Sequence, residues 1–370
     1  MSQATIRVLL VEDSPVALNI LHKLLDASDE IQVAGTASNG KEALNLIPKV
    51  RPTVICTALY MPGMDGVELT KQVMARYPCP ILVLSNDGSR NFQSSARKSF
   101  GSGSEEAENA FELLQAGALD VFPLPTSGIL ADYEPLKRQL IAKLKVLAGV
   151  RVFTKTQKQA ASAVSGASSA VSASPIVPSR ANPAIKVIAI GASTGGPKAL
   201  RQILCPLSAK FPAAILCTQH ISIGFLPGLV NWLASECQLR VKIAQARELP
   251  VPGTVYFAPD HCHLALDSLG RFLHTVGEPV DGHRPSVTVM FRAVARFYGS
   301  AAAGILLTGM GRDGAAGMQA IAAAGGTTIA QDQASCVVFG MPKAAIALGA
   351  AQQTLSLNAI APWLLRTVSP

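Results

Sequence analysis

From Ile6 the chain alternates short apolar runs with longer segments whose apolar residues recur at helical spacing. Strands are expected over residues 6–11, 31–37, 54–58, 81–84 and 121–122. Helices are expected over about 15–27, 40–50, 67–77, 105–116 and 133–147. Five βα units in succession predict a doubly wound parallel sheet, with functional side chains at the carboxyl ends of its strands. The pattern then stops. Residues 154–182, TKTQKQAASAVSGASSAVSASPIVPSRAN, hold too few large apolar side chains to build a core and read as a tether. It resumes at Val187, again over 213–218 (AAILCT) and over 303–307. The expected organisation is an α/β domain over residues 1–150, an Ala/Ser/Pro-rich linker over 151–183, and a second α/β domain with a mainly parallel sheet over 184–370. The segment Asp87 to Asn109 is long for a strand-to-helix connection and is read as a flap of unassigned role.

Composition narrows the function classes. The net charge of +8 suggests nucleic acid until it is divided along the chain. Residues 1–150 hold 14 Lys+Arg against 16 Asp+Glu, leaving −2; residues 151–183 carry +4, and residues 184–370 carry +6. No dense basic block or basic stretch interleaved with aromatics accompanies that charge, so an acidic protein partner suits it better than nucleic acid. The seven cysteines are scattered and form no C-x-x-C pair, which points to reduced thiols in a cytoplasmic protein. No apolar run of about 18 residues and no signal-like N-terminus is present, so no membrane insertion is expected.

The most informative stretch is KVIAIGASTGGPKAL, residues 186–200. An apolar strand stops at Gly191, exposes Ser193, and restarts as a helix at Pro197. Gly191-Ala192-Ser193-Thr194-Gly195 fits the G-x-S-x-G elbow that holds a nucleophilic hydroxyl proud of a sheet. A glycine-rich turn of this kind more often cradles a phosphate than carries a nucleophile, and this stretch alone leaves both readings open. His220 follows the apolar strand AAILCT, and Asp313 follows the strand over 303–307. Three parallel strands would place Ser193, His220 and Asp313 on one sheet edge as nucleophile, base and orienting carboxylate. Their chain order, Ser, His, Asp, differs from that of the α/β-hydrolases. Cys217 with His220 has no partner pair, and His261, Cys262 and His263 would face opposite sides of a strand in turn; no metal and no cofactor are expected.

Two resemblances complete the reading. The strand ends of the first domain carry Glu12-Asp13, MPGMDG (61–66), Ser85 and Pro123-Leu124-Pro125, which resemble the active-site positions of response-regulator receiver domains, with a flavodoxin-like fold. The resemblance implies Mg²⁺-binding acids at Glu12 and Asp13 and a phosphoryl-contacting hydroxyl at Ser85. It also exposes departures: the phosphoacceptor position holds Ala58, the lysine position holds Leu124, and the aromatic switch position holds Val121 beside Phe122. No Asp or Glu occurs from Ala43 to Met64 to replace the acceptor. A receiver without a carboxylate cannot form an acyl phosphate, and Glu12 and Asp13 then read as two solvated acids.

In the second domain GASTGGPKAL, TQHISIGF, LPVPGTVYFAPDHCHLAL, DGHRPSVTVMFRAVA, LLTGMGRDGAAGM and AQDQASCVVFGMPKAAI look like successive blocks of the bacterial chemotaxis protein-glutamate methylesterases, with a Rossmann-like fold. That resemblance implies a Ser193-His220-Asp313 triad and an oxyanion hole from the backbone near Thr194 and Met310. It implies hydrolysis of glutamate γ-methyl esters, and deamidation of glutamines, on the cytoplasmic helices of methylated chemoreceptors. Chemotaxis array proteins would be further partners of a monomeric enzyme. A receptor-docking scaffold without turnover is the alternative; a response regulator with a DNA-binding output conflicts with strand-end triad residues and the lack of a basic recognition helix.

Overall fold

A computed structural model describes residues 5–26, 28–86, 111–124, 134–150, 152 and 184–368. The tether over 154–182, the Asp87 to Asn109 segment and the first part of the helix expected from residue 105 lie outside the described residues. The rest divides into two compact units, each built on its own sheet.

The first unit contains strands β1 (Ile6–Val11), β2 (Ile31–Ala37), β3 (Val54–Ala58), β4 (Ile81–Asn86) and β5 (Asp120–Leu124). They form a wholly parallel sheet in the order β2-β1-β3-β4-β5. Helices α1 (Pro15–Leu25), α2 (Gly40–Val50), α3 (Gly66–Arg76), α4 (residues 112–116) and α5 (Glu134–Ala148) connect and cover them. Short polar side chains start three of these helices. Ser14 accepts from the Ala17 N–H at 3.3 Å, Asn39 from Glu42 at 3.0 Å and Asp65 from Glu68 at 2.8 Å, each cap being worth about 1 kcal/mol. Val8, Leu10, Leu21, Leu82, Phe122, Leu140 and Leu144 are fully or almost fully buried in one core, at roughly 1.5–3 kcal/mol per large side chain.

Two strands run past their apolar stretches. Ser85 pairs with Pro123 and Asn86 with Leu124, so β4 extends beyond Leu84 and β5 beyond Phe122. Pro123 is tolerated because β5 is an edge strand and loses no ladder partner through the missing N–H.

The second unit is a seven-stranded parallel sheet in the order β14-β13-β12-β6-β7-β9-β8, with a separate antiparallel hairpin, β10 (His263–Leu266) and β11 (Phe272–Thr275). The sheet strands are β6 (Val187–Ala192), β7 (Ala214–Gln219), β8 (Arg240–Ile243), β9 (Thr254–Phe257), β12 (Ala302–Leu306), β13 (Thr327–Gln331) and β14 (Gln353–Leu355). The helices that follow are α6 (Gly196–Leu204), α7 (Leu226–Glu236), α8 (Val287–Tyr298), α9 (Ala315–Ala323), α10 (Met341–Ala347) and α11 (Leu357–Thr367). All six residues of β6 are buried, as expected of a central strand covered on both faces. From β6 the chain moves outward to β7 and β9 on one side, and later to β12, β13 and β14 on the other. The carboxyl edge of β6 is therefore a topological switch point, where open α/β sheets form their binding crevices.

Candidate active site

Ser193 leaves β6 at that switch point. Its N–H donates to the Thr308 carbonyl at 3.0 Å, and its own carbonyl accepts from Gly196 N–H at 2.7 Å. This closes a tight turn through Gly195 in the left-handed region, φ 78°, before α6 begins with Pro197 in its first turn. A Cβ on Gly196 would collide with the Gln219 side-chain amide. That amide is buried, and its Nε2 donates to the carbonyls of both Ser193, at 2.8 Å, and His220, at 2.9 Å. Gln219 thus fastens the end of β7 to the turn after β6, and glycine at 196 makes room for it.

His220 is the first residue after β7, and its N–H donates to the Ala192 carbonyl at 2.9 Å. Its ring Nε2 lies 2.9 Å from Asp313 Oδ2. Because a carboxylate only accepts, Nε2 carries the proton of that bond, and in the neutral imidazole Nδ1 is then the acceptor nitrogen. Among the described residues Nδ1 is buried without a hydrogen-bond partner.

Asp313 is 1% exposed and saturated with donors. Its Oδ1 accepts from Ser286 Oγ at 2.8 Å, Thr288 N–H at 2.9 Å and Gly314 N–H at 2.8 Å; its Oδ2 accepts from Val287 N–H at 2.8 Å as well as from His220. Val287 and Thr288 are the first residues of α8. The carboxylate therefore sits on the positive end of a helix and uses N–H groups that have no partner within it. Gly191 permits the approach, since a Cβ there would collide with Val287. Burial by itself raises the Asp313 pKa, but the hydrogen bonds and charge of His220 and the Thr288 N–H outweigh it and hold the carboxyl well below the usual range.

Thr194 and Met310 flank Ser193. Thr194 is buried, Met310 is 45% exposed, and a Cβ on Gly309 would lie only 2.7 Å from Ser193 Cβ. Among the described residues neither the Thr194 nor the Met310 N–H is used in a hydrogen bond. Two unspent donors therefore border the Ser193 turn.

A family model described as CheB methylesterase matches residues 188–364, and one described as response regulator receiver domain matches residues 8–103. A protein-glutamate methylesterase/protein-glutamine glutaminase of Nitrosospira multiformis is 40% identical over 364 residues, covering 98% of this chain and 97% of that relative. One from Pseudomonas aeruginosa is 37% identical over 359 residues, covering 97% and 98%. The chain belongs to this methylesterase/glutaminase family. A crystal structure of the Thermotoga maritima CheB methylesterase catalytic domain, 39% identical, covers 49% of this chain and 97% of its own length at a TM-score of 0.48. The methylesterase is an ester hydrolase with a receiver domain at its N-terminal end.

Glu12, Ala58, Ser85 and Leu124 lie at or directly after the carboxyl ends of strands in the first sheet. Ala58 closes β3 and Leu124 closes β5; both are buried, as are Val121 and Phe122. Ser85 is buried in β4. One expectation fails: Glu12 is not a solvated acid. It is 6% exposed, with its carboxylate accepting from the Ser14 N–H at 3.1 Å, whereas Asp13 is exposed. Burial pushes the Glu12 pKa up to about 7 against that hydrogen bond, with Asp13 raising it further. The chain turns after Glu12 to enter α1, and this folds the carboxyl under Ser14.

Several residues that support His220 and Asp313 carry no clear mark in the sequence. His283 stacks on His220, with ring centroids 3.7 Å apart and planes 8° from parallel. His263 Nδ1 accepts from the Ser286 N–H at 3.1 Å, and its Nε2 donates to the Glu278 carbonyl at 3.0 Å. The signal was DGHRPSVTV, where Ser286 is placed to cap a helix and precedes its first N–H groups. The His261, Cys262 and His263 cluster disperses: His263 is buried and His261 exposed, and among the described residues no group of His, Cys, Asp or Glu is placed to hold a metal ion. Among the same residues no helix is long and apolar enough to cross a membrane.

Proposed function

We propose that this enzyme hydrolyses glutamate γ-methyl esters, and deamidates glutamines, on the cytoplasmic helices of chemoreceptors during chemotactic adaptation, with Ser193, His220 and Asp313 as its triad. The observation that carries the reading is the Asp313–His220 pair. A carboxylate fixed by five donors holds the imidazole through Nε2 and leaves a buried basic Nδ1 unpartnered one strand away from the Ser193 hydroxyl.

Ser193 Oγ attacks the ester carbonyl as His220 Nδ1 takes its proton. The N–H groups of Thr194 and Met310 receive the negative charge that develops on the carbonyl oxygen, an effect worth roughly 3–4 kcal/mol per donor in such sites. Asp313 keeps the imidazole in one tautomer and stabilises its positive charge. The imidazolium returns the proton to the leaving oxygen, methanol departs, and a water deprotonated by His220 releases the acyl-enzyme as the glutamate carboxylate. With a glutamine substrate the leaving group is ammonia. The +6 balance of residues 184–370 suits acidic receptor helices.

The receiver, over residues 1–150, acts in this reading as a pseudo-receiver. An acyl phosphate needs a carboxylate at position 58 and a cation to pair with it, and the chain supplies alanine and Leu124. Residues 151–183 link it to the catalytic domain over 184–370. The deciding experiment is methanol release from methylated receptor membranes by wild type and Ser193→Ala. Release by wild type alone supports the enzyme; equal, negligible release by both, with retained receptor binding, would leave a silent docking scaffold.

A further inference from the structure

The cysteines, scattered in sequence, are not scattered in space. Cys205 caps the carboxyl end of α6 and Cys237 caps that of α7. Their sulfur atoms lie 3.1 Å apart, although the residues are 32 positions apart in the chain. Both are free thiols and both are partly exposed. The Arg201 guanidinium, bonded to Glu236 on the facing helix at 2.8 Å, is close enough to interact electrostatically with both sulfurs. None of this is used by the triad.

We infer that Cys205 and Cys237 form a reversible dithiol/disulfide site that closes under peroxide-class oxidants. One thiol of the pair gives up its proton as its sulfur attacks an oxygen of hydrogen peroxide; the O–O bond breaks, the departing hydroxide takes up that proton, and sulfenic acid and one water result. The other thiol then releases its proton as its sulfur attacks the sulfenic sulfur; the S–O bond breaks, the departing hydroxide leaves with that proton as a second water, and an S–S bond joins the helices. Two thiols and one peroxide give one disulfide and two waters. Burial and the contact to Cys205 push the Cys237 thiol up, and the 3.1 Å sulfur contact lets whichever sulfur is oxidised first meet the other. Selectivity follows from geometry. Cys56, Cys79 and Cys217 are buried, and Cys262 and Cys336 have no sulfur at contact distance among the described residues.

The bond would enclose β7, His220 and α7 in one covalent loop and tie its base to the helix that begins at the Ser193 turn. Closing a loop of this length restricts the unfolded chain and stabilises the folded one. The site makes the catalytic domain harder to unfold under oxidising conditions.

The test treats full-length protein with hydrogen peroxide, blocks remaining thiols under denaturing conditions, digests it, and searches by mass spectrometry for the Cys205–Cys237 cross-linked peptide. Its formation, its reversal by dithiothreitol, and an upward Tm shift of roughly 5 °C or more on oxidation of wild type are expected. Cys205→Ser and Cys237→Ser should show neither. Separately alkylated Cys205 and Cys237, cross-links shared with Cys262 or Cys336, or a Tm that does not rise when the linked peptide is present would each overturn the inference. The peptide readout requires no variant to fold.

Discussion

The imidazole of His220 lies face to face on that of His283, 3.7 Å between centroids. His283 has its pKa pushed down to about 4 by burial and by the neighbouring His220, against the attraction of Asp313 and of Asp281, which is itself paired with Arg312. It is therefore a neutral plate at pH 7 that fixes the plane of the proposed base. His283→Ala should lower kcat about tenfold, the scale of a modest misplacement of a catalytic group, with KM little changed. His283→Phe should keep most of the rate because it keeps the stacking face. Steady-state methanol release separates these outcomes from a general loss of fold, which would affect both variants.

The same histidine has a stability signature. Its folded pKa lies below its unfolded value near 6.5, so the unfolded chain binds more protons between the two. This contribution is complete above about pH 6.5 and declines as pH falls toward 4. The unfolding free energy of the protein's catalytic domain should drop across that window by up to about 3 kcal/mol, and His283→Phe should flatten the drop.

Asp313→Asn keeps the shape of the carboxylate but places an NH₂ group among N–H donors. We expect kcat to fall by about 10³–10⁴. A stability loss of about 3 kcal/mol should accompany it, because the amide leaves donors at the start of α8 unsatisfied. Urea unfolding and ester turnover measured on the same preparation test both. Near-wild-type turnover would remove Asp313 from the triad.

Gln219→Leu removes both amide bonds between the Ser193 and His220 carbonyls while keeping the volume. A fall in kcat of roughly 10–100-fold, with KM and far-ultraviolet circular dichroism close to wild type, is expected from a loosened nucleophile–base geometry. A change confined to KM would argue for a substrate-binding role instead.

In the receiver, Glu12 should titrate near pH 7 when followed by carboxyl NMR. Its raised pKa means the folded state binds the extra proton. Stability is thus lost as pH rises from about 4.5 to 7 and is level above, by up to ~3 kcal/mol. Glu12→Gln should raise receiver stability above pH 7. A small-molecule phosphodonor with Mg²⁺ should leave esterase activity of the full chain unchanged, and Ala58→Asp alone should not restore full switching while Leu124 stands at the lysine position.

What the sequence determined here was largely local. Runs such as Val187–Ala192, buried at every position, and helix starts at Ser14, Asn39 and Asp65 follow from apolar period and short-range hydrogen bonding, and were readable within a few residues. So was the placing of Ser193 and His220 directly after β6 and β7, and of Asp313 in the loop after β12, because a parallel sheet sends every carboxyl end to one edge. Tertiary structure decided what those ends touch. That Asp313 takes the first N–H groups of α8, that His283 stacks on His220, that Gln219 bridges two strand ends and that Cys205 meets Cys237 depend on helices and loops distant in the chain packing side by side. Periodicity within a segment carries no information about such neighbours. Glu12 shows the same limit: its acidity was visible in sequence, but its burial is set by the folded chain around it.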